Sequence, residues 1–190
     1  TMDVLLAAGL WSHTLQLLHR MIQKDLARHV TTVEEVYDHS EQAGGVLDCA
    51  KHAVLVLLLR HFAAKSAPFT YLDTHAGRGL YDLQVEACEY QNFRQGIHTL
   101  ERSQIRSAAI IQYLSQMKAF NAGTTRFYLG SPALATRFLR PDDHAILFEA
   151  SVEVYKALKQ SLTHLNVKDG VRMLHANSYL WLQDHLVPMA

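Results

Sequence analysis

Lysine and arginine balance aspartate and glutamate in this 190-residue chain, 18 of each, so no overall basic field exists and any nucleic-acid contact has to come from a local patch. Hydrophobic residues make up 49 % and charged residues 19 %, the balance of one globular domain with a real core rather than of a disordered or membrane-spanning chain. Cys49 and Cys88 form no CxxC pair, which argues against a disulfide framework or a zinc site, and the longest apolar run, Ala53 to Leu59, is too short to cross a bilayer.

In chain order, Trp11, Leu15, Leu18, Ile22 and Leu26 step by three or four within Val4–Val30. This apolar stripe predicts a helix that packs on its own domain or docks on a partner, an N-terminal extension over residues 1–35. Gly44-Gly45 closes a polar loop, and a helix begins near Val46. Its body, "AVLVLLLRHFAAK", is apolar nearly all round, which predicts a buried helix through Lys65. Pro68 leads into a strand over Phe69–Leu72, ending at Asp73. Residues 86–140 read as a helical insertion: "SQIRSAAIIQYLSQMKAF" has the helix period and Asn121-Ala122-Gly123 stops it. "TRFYLGSP" returns to strand and loop, and "PALATRFL" makes a short helix. A strand over Ala145–Phe148 ends at Glu149, a helix covers Val152–Leu165, and a strand over Val171–Leu174 precedes "HANSYLWLQDHL" as loop and helix. The alternation is that of an α/β fold with a parallel sheet and right-handed crossovers, occupying residues 36–190.

Asp73 at a strand end, followed by Gly77 and Gly79, points to a nucleotide-like cofactor. Glycines there allow a tight turn and close backbone approach, and ligands of open α/β sheets bind at that edge. Glu149 ends the next strand, where an acid can take ribose hydroxyls. The usual separation from the glycine loop is about 20 residues; here it is 70, so the insertion must lie between, and a plain surface acid at a strand end is an equal reading. Asn177 has two readings that can hold together: contact with an adenine edge, or a helix N-cap, shared with Ser178. His39, His52 and His75 lack ligand spacing such as HxxxH, so they predict a polar pocket wall and no metal. The insertion carries Arg94, Arg102, Arg106, Lys118, Arg126, Arg137 and Arg140 against three acids, with Tyr90, Phe93, Tyr113, Phe120, Phe127 and Tyr128 interleaved. Such a set can hold phosphates and stack bases, or simply form a solvated face over a small aromatic core.

"YDHSEQAG", "DCAKHAVLVLLL", "PFTYLDTHAGRGLYDL", "GSPALATRFLRPDD", "LFEAS" and "HANSY" resemble, in order, the bacterial 23S rRNA adenine-N6 methyltransferase family, the RlmJ family, over roughly Val36 to Leu182. The resemblance implies a class I, Rossmann-like, S-adenosylmethionine-dependent fold with a helical insertion after the first strand. This chain would hold the N-terminal half of that parallel sheet plus an extra N-terminal helix. It implies cofactor contacts at Lys51 and His52, at His75 beside Gly77 in the loop, at Ser131 and at Glu149. The family's acid after the third strand falls at Asn177, followed by Ser178, where the family has Asp-Gly. Tyr37 and His39 match a motif near the substrate side, and the basic set of the insertion would complete an rRNA contact.

The family's Asp-Pro-Pro-Tyr motif has no counterpart here, so no catalytic residue is assigned. In the family's fold the Phe69–Asp73 strand is central. Here it is expected at a sheet edge, which predicts a protein partner covering it. Two functional expectations follow. One is a catalytically inactive, structural component of an RNA–protein assembly such as an organellar ribosome, in the mitochondrial matrix or the cytoplasm, with the organelle favoured. The other is the S-adenosylmethionine-binding half of an active 23S rRNA adenine-N6 methyltransferase. Neither involves a membrane.

Overall fold

The structure is a computed structural model that describes residues 38–85, 91–105, 107–167 and 170–186. The expected N-terminal helix, Tyr37 and Arg106 lie outside the described residues. The main unit is Asp38–Ala176; residues 177–186 belong to a second unit.

The main unit opens with a 3-10 turn, His39–Glu41, which Asp38 caps by accepting from the Ser40 N–H at 3.1 Å. Helix α1 follows, Val46–Ala63. Its buried residues, Asp48, Cys49, His52, Ala53, Val56 and Leu59, recur every three or four positions and form one face. The expectation of a helix buried all round is corrected here. Leu47 and Val54 are 77 % and 58 % exposed, because the insertion packs on one side of α1 only.

Strands β1 (Thr70–Asp73), β4 (His144–Glu149) and β5 (Val171–His175) form a parallel sheet in the order β1-β4-β5. The register runs from Thr70 opposite His144 to Asp73 opposite Leu147, and from Ala145 opposite Val171 to Glu149 opposite His175. Among the described residues β1 is an edge strand, as expected. Between β1 and β4 lie β2 (Leu80–Asp82), α2 (Asn92–Gln95), α3 (Ile97–Arg102), α4 (Ala108–Phe120), β3 (Phe127–Leu129) and α5 (Ser131–Thr136). Strands β2 and β3 pair antiparallel as a separate ribbon, Tyr81 opposite Tyr128. The sequence reading lacks β2, since three residues straight after a glycine loop carry no usable period. Helix α6 (Val152–His164) returns the chain to β5, and α7 (Ser178–Leu186) belongs to the second unit.

Two apolar clusters result. The larger joins Val56 of α1, Phe93, Ile97, Tyr113, Met117, Tyr128 and Leu134, so the insertion has its own core against α1. The smaller packs Leu158 and Leu162 of α6 on Ala145 and Leu147 of β4 and on Ala76. Asn121 ends α4 as expected, and it does more. Its amide donates to the Met117 and Phe127 carbonyls at 3.0 and 2.9 Å and accepts from the Arg126 and Phe127 N–H groups at 3.1 and 2.9 Å. One buried side chain thereby fixes how the helix meets β3.

Arg140 and Asp143 set the start of the sheet. The Asp143 carboxylate accepts from the Arg140 Nε and Nη2 at 2.8 and 2.9 Å and from the Phe69 N–H at 2.9 Å. The same guanidinium reaches the Lys65 and Ala67 carbonyls. The Arg140 contact holds the Asp143 carboxyl well below the usual carboxylate range.

Gly96 is the tightest backbone position. A Cβ there would meet the Gly44 carbonyl oxygen at 2.0 Å and the Gly45 carbonyl carbon at 2.5 Å, because Ile97 N–H donates to that same Gly44 oxygen at 2.9 Å. Gly96→Ala should therefore destabilise the main unit by at least the roughly 1–3 kcal/mol typical of overpacking, read as a lower urea midpoint. An unchanged midpoint would mean that the Gly44-Gly45 and Gly96 segments are not in contact.

Candidate functional site

The carboxyl ends of β1 and β4 gather the candidate site. After Asp73 the chain turns through Thr74–Gly79 into β2. Gly77 and Gly79 have φ of 62° and 75°, the left-handed region that other residues rarely adopt. At Gly77 the demand is also steric, since a Cβ would lie 2.5 Å from the Tyr81 hydroxyl. Asp73 steers the turn. Its Oδ1 accepts from the His75 N–H at 3.2 Å and its Oδ2 from the Tyr71 hydroxyl at 2.7 Å. Burial and the Asp73 charge push the Tyr71 phenol far up, and Ser131 shares a hydrogen bond with that hydroxyl.

Glu149 closes the loop from the other strand. Its Oε2 accepts from the Gly77 N–H at 3.0 Å and its Oε1 from the Ser151 N–H at 2.9 Å. The Ala76 N–H donates to the Phe148 carbonyl at 2.9 Å. The loop is thus stitched to β4 by backbone and side chain together. Arg78, between the two glycines, forms an ion pair with Asp38 through Nε at 3.0 Å to both carboxylate oxygens and through Nη2. Burial alone would raise the Asp38 carboxyl; the Arg78 guanidinium outweighs it and holds it below the ordinary range.

A second cluster sits on the first turns of α1. Asp48, 2 % exposed, accepts from His39 Nε2 at 2.8 Å, Lys51 Nζ at 2.9 Å and the Gly44 N–H at 3.2 Å. Burial opposes its charge, but these partners win and lower it to about 2. His52 is 8 % exposed and places Nδ1 2.7 Å from the Tyr128 hydroxyl. Burial lowers it to about 4, with Asp48 and Asp73 pulling the other way, so the ring is neutral at pH 7. Because both acids act on His52, the two clusters are electrostatic neighbours.

Of the residues expected to bind a cofactor, His75, Gly77 and Glu149 are joined in one loop, Ser131 reaches them through Tyr71 and Asp73, and Lys51 and His52 belong to the neighbouring cluster. Asn177 lies in the second unit, two residues beyond the end of β5 rather than ending it. Its Oδ1 accepts from the Tyr179 and Leu180 N–H groups at 3.0 and 3.3 Å, so it caps α7, whose first residue is Ser178. The basic set divides. Arg140 is held in the sheet anchor, and Arg126 pairs with Asp82 at 2.7 Å. Arg137 donates to the Gln116 side chain, while Arg94, Arg102 and Lys118 form no ion pair among the described residues. Sequence reasoning passes over Asp38, Arg78, Tyr71 and Asp48; an arginine flanked by two loop glycines, Gly77-Arg78-Gly79, is the one available signal.

Residues 66–189 match the family described as Ribosomal RNA large subunit methyltransferase D, RlmJ. The Escherichia coli (strain K12) protein named ribosomal RNA large subunit methyltransferase J is 35 % identical over 147 residues, covering 74 % of this chain and 52 % of that protein. Its Haemophilus influenzae namesake is 35 % identical over 130 residues, covering 67 % and 46 %. A crystal structure of a Legionella pneumophila (strain Philadelphia 1) protein superposes with a TM-score of 0.65 at 31 % identity, covering 77 % of this chain and 53 % of that one. The chain spans about half the length of the curated relatives it matches.

The buried histidine and aspartate give acid sensitivity in two windows. His52 binds a proton in the unfolded chain below its ordinary 6.5 but not in the folded one until about 4, so stability falls as pH drops through that interval. The full change corresponds to about 3 kcal/mol. Asp48 adds a second loss between its ordinary 3.8 and about 2. Urea midpoints measured from pH 7 to 4 should fall steadily for the wild type and flatten for His52→Gln. An equal slope in that variant would place the responsible proton elsewhere.

Proposed function

The chain belongs to the ribosomal RNA large subunit methyltransferase RlmJ family, and we propose that it carries the S-adenosylmethionine-binding half of a 23S rRNA adenine-N6 methyltransferase. The observation that carries this reading is the Glu149 carboxylate. Each of its oxygens accepts one backbone N–H, from Gly77 and from Ser151. A carboxylate oxygen has two lone pairs, so each keeps an acceptor site for one hydroxyl of a ribose diol. The oxygens are fixed in place before any ligand arrives, which lowers the ordering cost of binding. Lys51, His52, His75 and Ser131 carry donors suited to the polar amino-acid end of that cofactor. The cofactor supplies the methyl group; the residues described here bind and orient it.

Calorimetry on the full chain should give micromolar binding of S-adenosylmethionine, weakened at least tenfold by Glu149→Ala because both ribose hydroxyls are left without their acceptor. Absence of binding to the wild type would sink the reading. It would favour instead a structural component of an RNA–protein assembly such as an organellar ribosome, a role in which the open edge of β1 pairs with another protein. Asn177 supports that second reading, because its acceptor oxygen is committed to capping α7.

RNA contact in this proposal rests on Arg94, Arg102, Lys118 and Arg137 rather than on Arg126 and Arg140, whose guanidinium groups serve internal carboxylates. Glutamate at those four positions should weaken rRNA association strongly, and each phosphate that is no longer neutralised should make the salt dependence shallower by about one. Association unchanged by the four substitutions would remove the insertion from the interface.

A further inference from the structure

A thread of polar side chains runs through the core of the insertion where apolar packing would be expected. Tyr128 and Tyr113 are both 0 % exposed. The Tyr113 and Tyr128 hydroxyl oxygens are 3.1 Å apart, the Tyr113 hydroxyl is also 3.7 Å from Cys49 Sγ, and the Tyr128 hydroxyl is 2.7 Å from His52 Nδ1. The Cys49 thiol donates to the Gly44 carbonyl at 3.6 Å. Protons can be arranged along this thread in two ways. In one, Tyr113 donates to Tyr128 and Tyr128 donates to His52 Nδ1. In the other, His52 donates from Nδ1, Tyr128 donates to Tyr113, and Tyr113 is left with the sulfur.

The first arrangement wins on acceptor strength. It ends the chain on an imidazole nitrogen at 2.7 Å, a good acceptor for a phenol; the second ends on a thiol sulfur at 3.7 Å, a poor one. Inside a buried network that difference is not offset by water. The ring proton of His52 must then sit on Nε2, on the far side of the ring. Nε2 makes no hydrogen bond among the described residues, and the only buried side-chain polar atom without a partner among them is Gln112 Oε1. Nε2 is therefore the ring nitrogen that keeps its donor for a further acceptor.

We propose that Tyr128 is a positioning residue for the candidate cofactor site: its hydroxyl fixes His52 as the Nε2–H tautomer, so that a single neutral donor meets an acceptor oxygen of the ligand. The ligand half of this statement rests on the reading of the site given above. The groups that act on the ring are Asp48 and Lys51 of α1, His39 of the preceding turn and Asp73 of β1. Two are acids that would draw a proton onto the ring; burial first, with Lys51 and His39 behind it, keeps it off. A charged imidazolium donates from both nitrogens and loses the distinction between them; the neutral, singly donating ring keeps it.

The test is nitrogen-resolved NMR of the full chain with labelled histidine, alongside calorimetry with S-adenosylmethionine. The free wild type should show His52 protonated on Nε2 and bare on Nδ1 at pH 7. Tyr128→Phe should mix the tautomers and raise the midpoint of the ring's titration, and it should weaken the ligand about five- to tenfold, the worth of one hydrogen bond. Tyr113→Phe deletes an equally buried hydroxyl but leaves Tyr128 on Nδ1, so the tautomer should persist. A wild-type ring protonated on Nδ1 would overturn the proposal outright, even if Tyr128→Phe fails to fold. An unchanged tautomer in a folded Tyr128→Phe would overturn it too. If the wild type shows the expected tautomer yet binds no S-adenosylmethionine, the assignment of Tyr128 to His52 stands and the functional reading falls.

Discussion

Beside the backbone bond from Ala76 to Phe148, one carboxylate ties the glycine loop to β4. Glu149 takes the Gly77 N–H on one oxygen and the Ser151 N–H on the other, so it ties the turn after β1 to the first turn of α6 across two strands. Hydrogen bonds to an ionised acceptor are roughly twice as strong as neutral ones, and here two are made by groups that neighbour each other only because β1 and β4 are in register. The loop could not hold this shape alone. Two left-handed glycines within three residues leave its unfolded form with many alternatives, and only an external acceptor narrows them. Register in turn depends on the far end of the sheet, where Asp143 binds the Phe69 N–H and Arg140 binds the chain before it. A polar anchor at each end of β1 therefore fixes a strand of only four residues.

The insertion obeys a different constraint. It is stabilised as a small core of its own, packed on the inner face of α1, and it encloses hydroxyls, a thiol and an imidazole among its aromatics. Replacing those groups by apolar ones of the same shape would cost little or nothing in stability, whereas leaving one of them unpaired would cost the full desolvation of that group. Stability thus does not explain the thread. Its outer end is His52, whose ring carries the order of the core outward to the side of the molecule where Asp73 and Asp48 lie. The aliphatic outer face of α1, with Leu47, Val54 and Leu58 exposed, contrasts with this inner face.

Much of the sheet is legible because its strands are bounded by unambiguous signals: Pro68 before β1, Asp73 and the glycines after it, Glu149 and Ser151 around the start of α6. The separation of Gly77 from Glu149 fits a long excursion between two neighbouring strands, and the 3.0 Å bond between them is its structural counterpart. Strand β2 is illegible, since Leu80–Asp82 becomes a strand only through pairing with Phe127–Leu129, about 45 residues on. The burial of α1 misleads for a related reason. Its run from Ala53 to Leu59 is uniformly apolar, so only the tertiary partners decide that Val56 is inside while Val54 is out. Charged residues are the hardest to place. Composition groups Arg140 with Arg94, and nothing local distinguishes a guanidinium that anchors a sheet from one facing solvent. The carboxylates of Asp38, Asp48, Asp82 and Asp143 supply that distinction, and each is engaged by a cation of the chain.

Asn177 shows how the residue at a helix cap decides the chemistry that a position offers without deciding its local structure. An aspartate and an asparagine cap a helix about equally well. The two N–H groups of Tyr179 and Leu180 require an acceptor, which fixes the amide orientation with Oδ1 toward the helix. What remains is Nδ2, which carries two donors and no lone pair to offer, whereas a carboxylate in the same place would present a second acceptor oxygen and a negative charge. An adenine edge shows both types: ring nitrogens that accept and an exocyclic amine that donates. A carboxylate at this cap can answer the amine, while the asparagine can answer only a ring nitrogen. Recognition of an adenine by Asn177 would therefore fall on a ring nitrogen rather than on the exocyclic amine that an aspartate would take, with the cap itself left unchanged.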